Sequence, residues 1–294
     1  MSDQQPAIGR FAPSPTGPLH LGSLYTALAS FLQTRSQQGL WLLRIDDLDI
    51  PRNIKGAADA ILAALDVLGL HWDGRVDYQS QHIDEYHEHL GQLEQNGQLY
   101  PCTCPRKLLL TDIYAGTCRH NHPPPNRPYA LRVKTDQRDI SFQDGLQGFI
   151  SHNLATRHGD FILKRKDQII AYQFAVVLDD SRQQVNHVVR GIDLLEVTPR
   201  QIYLQQLLGL TTPAYMHLPV IVDRHGYKLS KQTKAAAVNL AAPHQVLFTL
   251  LGLLKQNPPA ALQHAPIAEQ LDWAIAHWNP TALKKLQSIS DFLP

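Results

Sequence analysis

Pro13-Ser14-Pro15-Thr16-Gly17-Pro18-Leu19-His20-Leu21-Gly22-Ser23 is the stretch around which the rest of the chain is read. Ahead of it, Ile8-Gly9-Arg10-Phe11-Ala12 is short enough to be a strand edge. Behind it, Leu24, Ala27, Leu28, Phe31 and Leu32 recur at helical spacing. A proline-stiffened turn therefore delivers His20 and Gly22 to a helix N-terminus. Backbone N–H groups point outward there and the dipole is positive, so phosphate is the natural guest. Gly22, lacking a Cβ, lets a phosphate or an adenine ring come close. A bare His-x-Gly is more often a plain helix start. It gains weight only from Lys228-Leu229-Ser230-Lys231-Gln232, far down the chain.

At 294 residues, 44% hydrophobic and 18% charged, the chain can bury a sizeable core in more than one lobe. A formal net charge of +1 excludes a globally basic nucleic-acid binder, so any such surface is a local patch. No run of 18 apolar residues offers a membrane span, and Met1-Ser2-Asp3-Gln4-Gln5 lacks a signal pattern. The reading is a cytoplasmic protein with no membrane partner, and a monomer, since no exposed apolar stripe stands out. Its three cysteines, Cys102, Cys104 and Cys118, fall in one stretch. In a reducing compartment that grouping points to a metal rather than to disulfides.

Residues 8 to 70 read β-loop-α-β-α, with Gly39 as the C-terminal signal of the first helix. Leu40 to Ile45 is the run expected of a strand buried on both faces. It ends in Asp46-Asp47-Leu48-Asp49, where open α/β sheets bind ligands. A further helix begins at Ser80. The stretch from Tyr129 to Asp167 alternates as short strands, a β-rich insertion rather than more parallel sheet. Its Arg157, Lys164, Arg165 and Lys166 suit phosphates or plain solvent. The α/β pattern returns at Tyr172, with Thr198 as an expected N-cap before Pro199 and His217 to Val222 as the last sheet strand. Beyond about residue 237 only helical patterns are visible.

Zinc takes four ligands in a tetrahedron, usually thiolate and imidazole. Cys102, Cys104 and Cys118 supply three. By chemistry alone the fourth is His120 or His122, because tyrosine is a poor donor unless the metal deprotonates it.

Arg10-Phe11-Ala12-Pro13-Ser14-Pro15-Thr16-Gly17, the His20-x-Gly22 and Lys228-x-Ser230-Lys231 signatures, Tyr172 ahead of Phe174-Ala175-Val176-Val177, and Val189-Arg190-Gly191-Ile192-Asp193 occur in that order. Up to about residue 237 the chain resembles the glutamyl-tRNA synthetases, class I enzymes. The short remainder and the Cys-x-Cys…Tyr-x-x-x-Cys knot make it similar to their truncated glutamyl-Q tRNA(Asp) branch. The resemblance implies a Rossmann-like α/β catalytic domain in two halves, 1–98 and 172–237. A zinc-bearing α+β insertion at 99–171, resembling an acceptor-binding domain, separates them. A helical region at 238–294, with no anticodon-binding domain, follows.

It also implies activation of glutamate with ATP and Mg2+ without tRNA, then transfer to queuosine at the wobble position of tRNA(Asp). Arg10, Phe11, Ala12, Pro13, Ser14, Asp46, Tyr172 and Arg190 would hold glutamate. His20, Gly22 and Lys231 would hold ATP, with His20, Lys228 and Lys231 catalytic. Tyr114 would be the fourth ligand of one structural zinc. Two positions depart from the family pattern: Asp46 replaces a glutamate, and Ser23 replaces a second histidine of the first signature. Two other readings are a minimal synthetase that charges a tRNA 3′ end and an inactive RNA-binding paralogue. The intact Arg10, His20 and Lys231 argue against the second.

Overall fold

The computed structural model describes residues 5–105, 113–114, 116–120, 126–223, 227 and 238–290. Lys228, Lys231, His122 and Pro123 to Pro125 lie outside them. Strand β1 (Ile8–Phe11), helix α1 (Leu21–Arg35), strand β2 (Leu40–Ile45), helix α2 (Ala57–Val67), strand β3 (Asp77–Tyr78) and helix α3 (Ile83–Gln95) form the first part. Strands β4 (Leu99–Cys102), β5 (Ala130–Val133), β6 (Asp139–Asp144) and β7 (Gly148–Asn153), the single turn α4 (Leu154–Arg157) and strand β8 (Phe161–Lys164) follow. Then come α5 (Tyr172–Arg182), β9 (His187–Gly191), α6 (Thr198–Leu208), β10 (Ala214–Leu218), β11 (Val220–Val222), α7 (Pro243–Leu253), α8 (Ile267–Ala276) and β12 (Ser288–Ser290).

The main sheet runs β3-β2-β1-β9-β10-β6-β7, parallel except for the final β6–β7 hairpin. Alternation along its strands builds two cores, because successive side chains leave opposite faces. Trp41, Leu43, Ile45 and Val189 join the Leu24, Leu28 and Phe31 face of α1 and Leu247, Leu250 and Leu271 of α7 and α8. Leu42 and Val188 meet Tyr86, Phe174, Leu178 and Ile202 on the other side. α1 lies against β1 so closely that a Cβ on Gly9 would collide with Thr34 Oγ1.

Five expectations are corrected. The insertion is not a separate β unit throughout. β4-β5-β8 form their own antiparallel sheet, but the β6–β7 hairpin joins the main sheet through Tyr215↔Asp144. The run from His217 to Val222 is two strands, broken at Pro219, whose missing N–H cannot serve a ladder. The second of them, β11, pairs with β12, so the C-terminal part is not purely helical. Gly39 follows a turn in which Gln38 takes the positive φ; its lack of a Cβ instead lets it pass Ala7. Thr198 is inside α6 rather than its N-cap, because Ile192–Val197 already coils as a 3-10 helix.

Candidate active site

β1, β9 and the β10–β11 junction carry their C-terminal ends to one cavity of about 310 Å³. That is where a parallel sheet binds its ligands. Arg10, Phe11, Ala12, Pro13, Ser14, His20, Gly22, Tyr172 and Arg190 all line it. So do Asp193, part of the Val189 to Asp193 motif but given no role there, and Tyr25 and Ile221, which the sequence did not single out. Asp46, expected beside a substrate ammonium, is not among the residues that line it and lies behind them against Arg44.

Arg10 reaches the cavity from β1 and is almost wholly buried. Its Nε and Nη2 donate to Asp180 at 3.1 and 3.3 Å, while Nη1 has no partner among the described residues. Asp180 also accepts from Arg44 Nη1 at 2.8 Å, and Arg44 Nε donates to Asp46 at 2.8 Å. Arg44 therefore sits within a ring of Asp46, Asp179 and Asp180. Burial works to raise the Asp180 pKa, but Arg10 and Arg44 outweigh it and hold the carboxyl below its ordinary range. Asp46 has Arg44 on one side only, and burial with repulsion from Asp179 and Asp180 pushes it up to about 6. The signal for this network was present in the sequence: an arginine in an apolar strand and two aspartates closing an apolar helix run. Only the fold shows that they meet.

Arg190 enters from β9. Its Nη2 donates to Thr198 Oγ1 and Gln201 Oε1, both at 2.7 Å, and its Nε to His217 Nε2 at 3.1 Å. Nη1 again has no partner among the described residues. Two guanidinium groups, each fixed through two nitrogens with a third spare, thus flank one cavity. Arginine's fork suits carboxylates. His217 Nδ1 lies 2.6 Å from Asp144 Oδ2. A guanidinium N–H can only donate, so His217 Nε2 accepts and its proton sits on Nδ1. Burial lowers the His217 pKa despite Asp144, which keeps the ring neutral.

His20 is the N-cap of α1, its Nδ1 accepting from Ser23 N at 3.3 Å. The N–H groups of Leu21 and Gly22 have no hydrogen-bond partner among the described residues. The helix start therefore still offers donors beside the cavity. Tyr25, buried in the same wall, has a hydroxyl with no partner among the described residues. Leu19, at the turn, is buried and seats the loop on the core.

A second cluster lies in the insertion. The sulfurs of Cys102, Cys104 and Cys118 lie within 4.8 Å of one another. Tyr114 Oη is 3.4 Å from Cys102 Sγ and 3.6 Å from Cys104 Sγ. The Cys118 N–H donates to it at 2.9 Å. His120 is exposed and outside this group. Three sulfurs and one phenol oxygen converging in a buried knot fit a tetrahedral zinc site. Burial works to raise the Cys118 thiol, yet hydrogen bonds from Tyr114 and Cys104 bring it down to about 7.

His152, His158 and Glu196 also gather within 4.8 Å. There Arg200 donates to His158 Nδ1 at 3.1 Å and Arg157 grips both oxygens of Glu196, so two guanidinium groups already sit against the cluster, although His152 Nδ1 and His158 Nε2 have no hydrogen-bond partner among the described residues. Arg165 and Lys166 of the insertion are similarly engaged, Arg165 with Asp167 and Lys166 with the Thr103 and Cys104 carbonyls.

The model of the class I tRNA synthetase (E and Q) catalytic domain matches residues 8–247. Glutamyl-Q tRNA(Asp) synthetase of Methylococcus capsulatus is 49% identical, covering 93% of this chain and 92% of its own. That of Aromatoleum aromaticum is 48% identical, covering 93% and 89%. A glutamate-tRNA synthetase structure from Elizabethkingia anophelis superposes with a TM-score of 0.81 at 24% identity, covering 97% of this chain and 68% of that one. The fold is thus that of a class I tRNA synthetase catalytic domain, and the chain belongs, within that class, to the glutamyl-Q tRNA(Asp) synthetase family. It is a ligase-type enzyme. Among the described residues no helix is long and apolar enough to cross a membrane.

Proposed function

We propose that this enzyme activates L-glutamate with ATP, in the absence of tRNA, and transfers it to the queuosine base at the wobble position of tRNA(Asp), acting as a cytoplasmic monomer. The observation that carries this reading is the pair of tethered arginines, Arg10 and Arg190, facing one cavity beside a helix start. A substrate with two carboxylates and an ammonium uses such a pair, one carboxylate held and the other left to react.

In the first step a glutamate carboxylate oxygen attacks the α-phosphorus of ATP. The bond to pyrophosphate breaks, leaving glutamyl-adenylate. Positioning and neutralisation of phosphate charge supply the rate. His20 and the N–H groups of Leu21 and Gly22 take the phosphates, while Lys231 with Lys228 follows the departing pyrophosphate. Mg2+ enters with ATP. Arg10, Arg190, Ser14 and Tyr172 hold glutamate, with Phe11, Ala12 and Pro13 forming the wall beneath it. In the second step a hydroxyl of the queuosine diol attacks the acyl carbon and AMP leaves. Cys102, Cys104, Tyr114 and Cys118 hold one structural zinc, which braces the insertion.

Asp46 serves this site indirectly. It binds Arg44, which shares Asp180 with Arg10. The shorter acid thus supports the arginine network instead of touching substrate.

ATP–pyrophosphate exchange without tRNA tests the first step. Glutamate should drive exchange and aspartate should not. Exchange that requires tRNA, or that another amino acid drives better, would overturn the reading.

A further inference from the structure

Asp144 closes β6, the strand that the insertion contributes to the main sheet, opposite Tyr215 of β10. Its Oδ1 accepts from Leu146 N at 2.9 Å, Gln147 N at 2.8 Å and the His217 backbone N–H at 3.3 Å, which fixes the carboxylate independently of any imidazole. Its Oδ2 faces His217 Nδ1, and His217 Nε2 faces both Arg190 Nε at 3.1 Å and the Thr198 hydroxyl at 3.0 Å. Both acid and imidazole side chains are fully buried.

We propose that Asp144 is a positioning residue for the amino-acid substrate: by holding His217 with its proton on Nδ1, it presents the acceptor that aims Arg190 into the cavity. This rests on reading that cavity as the glutamate site. The turn at Leu146 and Gln147 needs only an acceptor oxygen, which an asparagine would supply equally well. The negative charge and the second acceptor are needed for the histidine alone. An imidazolium at His217 would face the Arg190 guanidinium, and burial disfavours it further. The insertion thus reaches beneath the substrate pocket with one residue that sequence spacing, 73 positions from its partner, does not reveal.

Asp144→Asn separates the two duties. Its oxygen stays on the turn, while its N–H2 replaces Oδ2 and donates to His217 Nδ1. The ring proton then moves to Nε2 and meets the Arg190 N–H, donor against donor, the logic of an acid-to-amide exchange beside a catalytic histidine. In glutamate-driven ATP–pyrophosphate exchange the variant should raise the glutamate KM about tenfold or more with the ATP KM little changed, while loss of the buried carboxylate lowers the melting midpoint. In an Arg190→Ala background the same change should add less than about twofold, because both act through one group. An unchanged glutamate KM, or an equal effect in both backgrounds, would overturn the proposal. ¹⁵N chemical shifts of His217 in the unmodified protein give a readout independent of substrate. A proton on Nδ1 supports the relay and a proton on Nε2 overturns it. Absence of glutamate-driven exchange in the unmodified protein would instead sink the glutamate assignment, and the tautomer would still decide the relay.

Discussion

At Asp180 one carboxylate serves two buried arginines, Arg10 at the cavity and Arg44 behind it. Removing one member of such a group leaves uncompensated charge out of water. Asp180→Ala should therefore lower stability by about 3–5 kcal/mol in chemical denaturation and raise the glutamate KM. Stability unchanged within about 1 kcal/mol would contradict the network.

Asp144, Asp160 and Asp180 all have pKa values held below the ordinary carboxylate range, burial opposing and hydrogen-bonded or cationic partners prevailing. Between the folded and unfolded pKa values the unfolded chain binds more protons, so stability rises with pH across that window. Their contribution is complete above about pH 4, the unfolded value, and is lost as pH falls through the folded ones. A denaturation midpoint that held constant from neutrality to below that pH would refute this assignment. Residues such as Arg10, Ser14, His20 and Gly22 were legible in the sequence because they are contiguous and lie at a recognisable turn. Arg44 and Asp180 were not, because 136 positions separate them and nothing local announces a partner.

The element scale explains the misreadings. Periodicity identifies a helix or a strand, yet it does not say which sheet a strand joins. β6 and β7 fall in the stretch read as a β-rich insertion and pair with each other, but β6 also joins the main sheet beside β10. β12 is three residues long, too short for an alternation signal, and exists because β11 offers it an edge. That small pairing matters to the site. Ile289 of β12 is buried in the main core, and its register partner Ile221 lines the cavity. Ile289→Ala should cost about 2–5 kcal/mol, measured by chemical denaturation, since it removes packed methyl groups from a close-filled region. A cost below about 0.5 kcal/mol would show that β12 is not part of the cooperative core.

Across the whole molecule, the packed clusters divide the labour. The cavity rests on the core shared by α1, the sheet, α7 and α8, whereas Tyr100, Cys102, Tyr114 and Cys118 form a small cluster of their own. Zinc, bound at that cluster, would stabilise the insertion without contacting the pocket. Purified protein should carry one zinc per chain, and Cys104→Ser should lose it while glutamate-driven ATP–pyrophosphate exchange persists and transfer to tRNA falls. Full zinc occupancy in that variant would remove Cys104 from the ligand set. The α/β class and the location of the pocket were readable from the His20 loop and the strand ends. The electrostatics that hold the pocket were not, because they are assembled from β1, β2, β6, α5, β9 and β10 together.

The central claim is that glutamate is placed on a tRNA base and not on a tRNA end. Labelled glutamate, ATP and the purified protein should be incubated with tRNA(Asp) whose terminal adenosine has been removed, with and without queuosine. Label entering only the queuosine-bearing tRNA is the predicted result. No label there, together with charging of intact tRNA at its 3′ end, would contradict the account and make the protein a minimal synthetase.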